Sequence, residues 1–476
     1  MKNFNNNKLN TRYHKNIIWR LVVLVIIILV VTLSICSCND FVEIDLPSSQ
    51  LTSNGVFEEK TTANAAMTDI YSKIRDAGLL TGSATGLSHL LGNYADELDF
   101  YGSSQNAAVV FYNNSLIASN ADVKRLWDTS YNQIYAANAV IEGVENSVNL
   151  PVADRKQLRG EALFVRSLIH FYLTNLFGDI PYITTTDYEK NSIAVRVPDS
   201  TIYNNIKDDL EEAIQLLPED YFSTERVRPN KHTVYALLSR VNLYAGLWSE
   251  AAIEASEVIN NTGLYVYEQD LDKVFLKEST STIWQLAPGF SGGNTLESGT
   301  FNFTIGPPPL SALSANFMAA FDPNDQREIH WTKAVSDGSI TWYHPFKYKS
   351  SNTGSSVEYS IVFRLGELYL IRAEARAHLG DLLGAKEDLN KIRNRAGLED
   401  TTALSQDEIL DAILQERRLE LFTEFGHRFF DLKRFNKVDE VLSMVKTGWD
   451  SHDVLFPIPE TELKLNPNLQ PQNQGY

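Results

Sequence analysis

Cysteine is almost absent from this chain of 476 residues. The two cysteines, Cys36 and Cys38, lie together near the N-terminus, and no thiol follows them in the sequence. Small exported domains are often stabilised by several disulfides, and zinc sites of the finger type need spaced cysteines. Neither device is available here, so the body of the protein must be stabilised by its hydrophobic core alone.

Positive charge is also scarce. The chain has 42 lysines and arginines against 60 aspartates and glutamates, a formal net charge of -18 at pH 7. Residues 1–37 carry five basic and no acidic residues, so loss of that segment takes the net charge to -23. Nucleic acids and anionic membrane surfaces attract lysine and arginine, so an acidic protein is a poor partner for either.

Familiar catalytic motifs are missing as well. The sequence contains no H-E-x-x-H motif, no P-loop, no G-x-S-x-G elbow and no histidine pattern that suggests metal ligands. The turn DPNDQRE, which begins at Asp322, offers three carboxylates to calcium but lacks the EF-hand spacing. A solvated turn is the simpler interpretation, and we expect no cofactor.

The longest apolar run lies at the N-terminus. Five basic residues precede the run LVVLVIIILVVTLSIC, which ends at Cys36. The run is shorter than the roughly 18 to 20 residues of a spanning helix, which favours a secretory signal over a permanent anchor helix. Bacterial lipoproteins are cleaved before a cysteine that follows a small residue. Because Ser37 is small and Ile35 is bulky, we predict a signal peptide over residues 1–37 and lipidation of Cys38.

Apolar residues recur with helical period through most of the chain. Residues 155–182 and 199–218 each predict a helix, and the first ends at Gly178. Two later segments consist of a helix, a glycine at position 246 or 380, an alanine five positions on, and a second helix. This is how a tetratricopeptide-type hairpin is built. We therefore predict an all-α fold on a scaffold of degenerate helical hairpins.

Two stretches lack this helical pattern. Residues 263–359 are rich in Gly, Ser, Asn and Pro, and residues 93–115 are similarly irregular. Loops on a regular scaffold are where binding residues tend to lie. Both stretches carry many aromatic residues, whose flat rings match the apolar faces of sugars. Trp127 and Tyr131 lie within helical patterns instead, and we assign them to the core.

Several motifs taken together resemble one known family. They are, in chain order, CNDFVEIDLP, WDTSYNQIYAANAVIE, EALFVRSLIHFYLTNLFGDIPY, FRLGELYLIRAEARAHLG, ERRLELFTEFGHRFFDLKR, FPIPETEL and NPNLQPQNQGY. Their number and order resemble the landmarks of the SusD/RagB family of outer-membrane lipoproteins from Bacteroidetes. The resemblance covers nearly the whole chain after residue 37.

This resemblance implies a single domain over residues 38–476, with about four tetratricopeptide-like units and an irregular ligand-binding insert over about 263–359. It implies a surface lipoprotein of the outer membrane, without enzymatic activity, that binds oligosaccharide and delivers it to a SusC-like TonB-dependent transporter. The alternatives are a peptide-binding transporter lid and a lipid-anchored scaffold that binds only proteins.

The resemblance also points to a ligand site. Phe100 and Tyr101 follow the acidic pair of ADELD, where the family carries ligand-facing aromatics, although Trp is common there in place of Phe-Tyr. Trp331, Trp342 and Tyr343 are added because they lie in the second irregular stretch. We expect the helical scaffold to bring the two stretches together into one shallow aromatic platform.

Glu416, Glu420 and Glu424 are the best candidates for catalytic carboxylates. Their spacing places them on one helical face, at a separation not far from that of a glycosidase pair. The arginines at positions 417, 418, 428 and 434 lie within one to three turns. Nearby positive charge lowers a carboxyl pKa, whereas a general acid needs a raised one. We therefore interpret these glutamates as structural ion-pair residues.

Replacing Cys38 with alanine should release the protein from the membrane fraction, because the acyl chains then have no attachment residue. Cys36→Ala is the matched control and should leave the protein in the membrane. Cell fractionation followed by immunoblotting measures both. Full anchoring of the Cys38→Ala variant would show that Cys36 or a retained helix is the anchor.

Overall fold

The computed structural model describes Trp19 and residues 53–351 and 354–476. The predicted lipidation site Cys38 and the domain boundary beside it therefore lie outside the described residues, as does the signal segment apart from Trp19. The elements below all belong to one compact unit, residues 53–476. None of the helices described there is both long and apolar enough to cross a membrane.

Helices dominate this unit. They are α1 Ser53–Val56, α2 Lys60–Ala77, α3 Leu87–Tyr94, α4 Ala108–Tyr112, α5 Ala121–Asn146, α6 Val152–Phe177, α7 Tyr188–Asn191, α8 Asp199–Leu216, α9 Lys231–Tyr244, α10 Trp248–Ile259, α11 Leu296–Phe301, α12 Ala315–Met318, α13 Gln326–Trp331, α14 Leu365–His378, α15 Leu382–Arg395, α16 Gln406–Glu420, α17 His427–Arg434, α18 Val438–Val445 and α19 Glu460–Leu465. Two short 3-10 helices cover Ser451–Val454 and Pro467–Leu469.

Successive helices pack in pairs. Helix α5 packs on α6, α6 on α8, α9 on α10 and α14 on α15. The last two pairs are the hairpins that the glycine and alanine pattern predicts. Gly246 and Gly380 turn the chain with φ of +72° and +82°, a conformation that glycine adopts without strain. Ala251 and Ala385 are completely buried where the paired helices meet. The prediction of a mostly helical, tetratricopeptide-like scaffold is confirmed.

Helix α6 is the centre of the scaffold. Nearly every residue from Gly160 to Phe177 is buried, because α2, α5, α8 and α9 all pack against this helix. Its buried carboxylate is paired: Glu161 accepts a hydrogen bond from the Tyr71 hydroxyl at 2.6 Å and forms an ion pair with Arg228 at 2.7 Å. The helix is thus buried on all sides, where the apolar stripe alone predicts one exposed face.

The irregular stretches add two small sheets to the helical scaffold. The strands are β1 Leu98–Phe100, β2 Thr282–Leu286, β3 Ser311–Leu313, β4 Thr332–Ser336, β5 Thr341–Pro345 and β6 Ser360–Arg364. Strands β2 and β6 pair with each other, and the other four form an antiparallel sheet in the order β1-β3-β5-β4. The sequence did not predict these strands as a sheet, because each is only three to five residues long.

Gly380→Ala should lower the free energy of unfolding by about 1 kcal/mol, because an L side chain is strained at its positive φ. A Cβ at this position would meet no atom within 4 Å, so the effect isolates the backbone. Gly299→Ala, in the exposed part of α11 and equally free of contacts, is the control and should be neutral or stabilising. Chemical denaturation compares the two. An unchanged stability of Gly380→Ala would refute the role given to the glycine.

Candidate functional site

A buried cluster of ions fastens the irregular insert to the end of α16. The carboxylate of Glu420 is fully buried and accepts ion pairs from three arginines. Arg364 comes from β6, Arg327 from α13 and Arg395 from α15, and each lies within 3.3 Å of a carboxylate oxygen. All three guanidinium groups are themselves buried. The cluster therefore joins three distant parts of the chain at one carboxylate.

The other two glutamates of the motif extend this cluster. Glu416 pairs with Arg327 at 2.6 Å. Glu424 pairs with Arg364 at 2.8 Å and with Lys347 at 2.5 Å. Helix α16 ends at Glu420, so Glu424 lies in the turn before α17. The expectation that all three share one helical face is therefore wrong for Glu424.

The electrostatics at Glu420 and Glu424 suit ion pairing rather than acid catalysis, whereas burial raises the pKa of Glu416 in spite of Arg327 and Arg393. Burial alone would raise the pKa of the Glu420 carboxyl, but Arg395, Arg364 and Arg327 together hold it below its ordinary value. Burial also opposes ionisation of Glu424, yet its pKa is lowered by its cationic partners. A general acid requires the opposite shift. The interpretation of Glu416, Glu420 and Glu424 as ion-pair residues is confirmed by their contacts.

The arginines that lie close to these glutamates in sequence bind other carboxylates. The pairs are Arg417 with Asp431, Arg418 and Arg428 with Asp96, and Arg434 with Glu374. The sequence therefore predicts correctly that arginines pair with these glutamates. The arginines nearest to them in sequence are not the ones that do so.

The acidic pair that precedes β1 faces inward. Two guanidinium nitrogens of Arg428 donate hydrogen bonds to the Asp96 carboxylate, at 2.7 and 2.9 Å. Glu97 accepts the backbone N–H of Thr423 at 3.3 Å. Burial, reinforced by Asp96, raises the pKa of Glu97 to about 8. The pair fixes the start of β1 against the α16–α17 turn, a role that the sequence analysis missed. The sequence signal for this role is that two acidic residues directly precede a short apolar segment.

The four-stranded sheet joins the two irregular stretches. Asp99 of β1 pairs with Ala312 of β3, and Leu313 of β3 pairs with Tyr343 of β5. Just beyond β1, the backbone N–H of Tyr101 donates to the carbonyl of Leu310 at 2.8 Å. The structure thus brings together segments that more than 200 residues separate in the sequence, as the platform hypothesis requires.

The aromatic candidates nevertheless divide between the two faces of this sheet, because successive side chains of a strand point in opposite directions. Tyr343 packs on the hydrophobic cluster beneath the sheet. Phe100 is half-buried on the same side, with its ring 6.3 Å from that of Tyr112. Tyr101 and Trp342 lie on the outer face. A single platform of all the candidates is therefore not formed.

Tyr101 and Trp342 form a pair on the outer face. Their rings are nearly perpendicular, at 88°, with centroids 6.5 Å apart. Tyr101 is 44% exposed, whereas Trp342 is 7% exposed because Phe303 packs on it and the chain passes closely at Gly306. Partial burial and the Asp99 carboxylate raise the pKa of Tyr101, so its hydroxyl stays protonated. Trp342 supports an exposed tyrosine that offers both a ring face and a hydroxyl.

Trp331 does not belong to this surface. It is fully buried, and its indole N–H donates to the carbonyl of Leu271 at 3.0 Å. The ammonium of Lys347 and the guanidinium of Arg395 lie 5.1 and 5.3 Å from the centre of its ring. The expectation that Trp331 contacts ligand is wrong, because the short helix α13 turns this residue into the ion cluster.

The turn DPNDQRE, considered above as a calcium site, belongs to the same ion cluster. Asp325 is buried, caps α13, and binds Arg327 through both carboxylate oxygens at 2.9 and 2.7 Å. Its oxygens are therefore already engaged by a cation of the protein itself. The interpretation as a solvated turn is wrong for Asp325, whereas Asp322 is exposed.

Comparison with family models identifies the relatives of this chain. A model of the SusD family matches residues 330–476, which include most of the ion cluster. A model described as "Starch-binding associating with outer membrane" matches residues 47–243, which include β1 and Tyr101. The chain belongs to the SusD family.

Individual members of the SusD family align over different lengths of the chain. SusD-like protein P2 of Formosa agariphila is 29% identical over 515 residues, covering 94% of this chain and 98% of the relative. Starch-binding protein SusD of Bacteroides thetaiotaomicron is 32% identical over 128 residues, covering 24% of this chain and 21% of SusD.

Solved structures of the family share the fold. A SusD superfamily protein from Bacteroides vulgatus superposes with a TM-score of 0.75 at 20% identity, covering 88% of this chain and all of that one. A protein described as a laminarin binding SusD-like protein gives a TM-score of 0.73 at 24% identity, covering 87% and 99% of the two chains. At such identities the likeness establishes the fold alone.

Glu420→Gln should lower the free energy of unfolding by about 3 kcal/mol, because it leaves buried guanidinium groups without their shared carboxylate. Glu387→Gln is the control: this glutamate is exposed on α15 and should change stability little. Chemical denaturation measures both variants. Retention of wild-type stability by Glu420→Gln would contradict the structural role, and loss of a hydrolytic activity at unchanged stability would restore the enzyme hypothesis.

Proposed function

We propose that this SusD-family protein is a glycan-binding lipoprotein of the bacterial cell surface. It binds an oligosaccharide on the outer face of the four-stranded sheet and delivers it to a SusC-like TonB-dependent transporter in the outer membrane. Cys38 carries the lipid that anchors it. In this account the protein catalyses no reaction and needs no cofactor.

The observation that carries the proposal is the Tyr101–Trp342 pair. A protein interior buries tyrosine and tryptophan wherever packing allows, so an exposed tyrosine buttressed by a tryptophan is suited to contact with a ligand. The C–H face of a pyranose ring matches the flat surface of Tyr101. The hydroxyl of Tyr101 and the nearby carboxylate of Asp99 offer hydrogen bonds to sugar hydroxyls.

The names of relatives supply independent support. The family model that spans Tyr101 is described as starch-binding and associated with the outer membrane. SusD of Bacteroides thetaiotaomicron is named a starch-binding protein, and one structural neighbour is described as binding laminarin. Starch and laminarin are both uncharged polysaccharides, which agrees with recognition by aromatic rings rather than by a charged pocket.

Delivery of the ligand to a transporter would explain why the protein is anchored at the membrane. A lipid-anchored binder that stays beside a transporter raises the local concentration of ligand at the transporter mouth. Co-purification of a SusC-like transporter with the full chain from the native outer membrane tests this partnership. Recovery of the chain without any such transporter would contradict it.

Tyr101→Ala should weaken binding about thirtyfold, because truncation of an aromatic residue at a binding centre costs about 2 kcal/mol. Calorimetric titration of the full chain with short oligosaccharides prepared from laminarin and from starch measures the effect. Tyr101→Phe, which keeps the ring, should lose much less affinity. The control is Phe290→Ala, which removes a more exposed ring from a different loop and should bind like the wild type.

Three results would overturn the proposal. Wild-type affinity in a folded Tyr101→Ala variant would place the glycan site elsewhere. Binding of peptides, with no binding of any glycan tested, would favour the peptide-binding transporter lid. A chain that binds only other proteins would instead be the anchored scaffold.

A further inference from the structure

A second aromatic surface contains no residue of the sheet. Helix α5, the segment from Pro181 to Ala194, and helix α19 enclose an open groove with a volume of about 610 Å³. Volumes of about 300 to 1,000 Å³ are typical of sites that hold small ligands. None of the Tyr101, Trp342 or ion-cluster residues lines this groove.

One wall of the groove is an aromatic stripe on α5. Trp127, Tyr131 and Tyr135 follow one another at intervals of four residues, so they lie on one side of the helix at a rise of about 6 Å each. The rings of Trp127 and Tyr131 are 4.9 Å apart. Tyr131 donates its hydroxyl proton to the carbonyl of Pro181 at 2.9 Å, which fixes its orientation. Exposure rises along the stripe, and Tyr135 is 52% exposed.

The opposite wall is held in place by hydrogen bonds. Glu142 of α5 accepts from the hydroxyl of Thr185 at 2.8 Å and from the backbone N–H of Thr186 at 2.9 Å. The side-chain amide of Asn466 donates to the carbonyl of Ala194 at 2.7 Å and ties the third wall to the second. A groove whose walls are preorganised in this way loses less entropy when a ligand binds.

Tyr188 stands on this second wall and is 80% exposed. Its hydroxyl and that of Tyr135 make no hydrogen bond to any residue that the structure describes, and neither does the side-chain amide of Asn132. These three groups are therefore available to a ligand. The charged residues of the groove are paired with each other: Lys124 binds Asp128 and lies 3.6 Å from Glu462.

From these features we propose that the groove is a second saccharide-binding site, specific for an uncharged oligosaccharide. The proposal rests on the proposed glycan-binding function and adds a site to it. The exposed rings of Tyr135 and Tyr188 offer faces to sugar units, while the free hydroxyls and amide suit their hydroxyl groups. Trp127, which is 3% exposed, only backs this wall of the groove. Mutual pairing of the charges leaves no group in the groove that calls for an ionic ligand.

The double variant Tyr135→Ala/Tyr188→Ala tests the groove. Titration of the full chain with oligosaccharides from laminarin and from starch should show two classes of site in the wild type. The double variant should lose one class, with at least about a tenfold weaker Kd, and keep the other. Tyr101→Ala should show the reverse pattern. Thermal stability of the double variant should not change, because both rings are exposed.

The possible results separate the two proposals. Unchanged stoichiometry and affinity in the double variant would overturn the groove site and leave the Tyr101 site intact. The groove site would also be overturned if the Tyr101→Ala variant lost all binding while the double variant lost none. Binding of a peptide library to the groove, abolished in the double variant, would overturn the saccharide class. A wild type that binds no glycan would overturn both proposals.

Discussion

The ion pairs at Glu420 determine how the irregular insert is placed on the helical scaffold. This one carboxylate is shared by Arg327, Arg364 and Arg395, which come from three separate elements. Removing ions from water is unfavourable unless each finds a partner of opposite charge in good geometry. A displaced insert would leave several buried charges unpaired at once. The cluster therefore holds the insert in one position on the helical scaffold.

The position of the surface pair follows from this constraint through a short series of contacts. Lys347, between β5 and β6, donates to the carbonyls of Glu420 and Phe422 at 2.9 and 2.8 Å. This attaches the β5 side of the sheet to the α16–α17 turn. The same turn holds the start of β1 through Glu97, so the strand that precedes Tyr101 and the strand that carries Trp342 are both attached to this one turn. The position of Tyr101 thus depends on contacts that buried charged residues make with this turn.

The sequence predicts the features of the fold that depend on a local pattern of residues. Gly246 and Gly380 mark hairpin turns whose residues are adjacent in the chain, and the period of α6 identifies a helix before any partner is known. Contacts between distant segments left no such signal. Strands as short as β1 and β3 carry too few residues to show an alternation, and the partners of Glu420 lie between 25 and 93 positions away. Trp331 was misassigned for the same reason, since only the folded insert shows that it is buried.

The central claim is that the sheet held by this cluster presents a glycan-binding surface at Tyr101. The most direct measurement is a crystal structure of the chain soaked with an oligosaccharide prepared from laminarin or starch. We expect a sugar ring stacked on Tyr101, with Trp342 and the ion cluster unchanged. An ordered sugar that contacts other residues while the outer face of the sheet remains free would contradict the account.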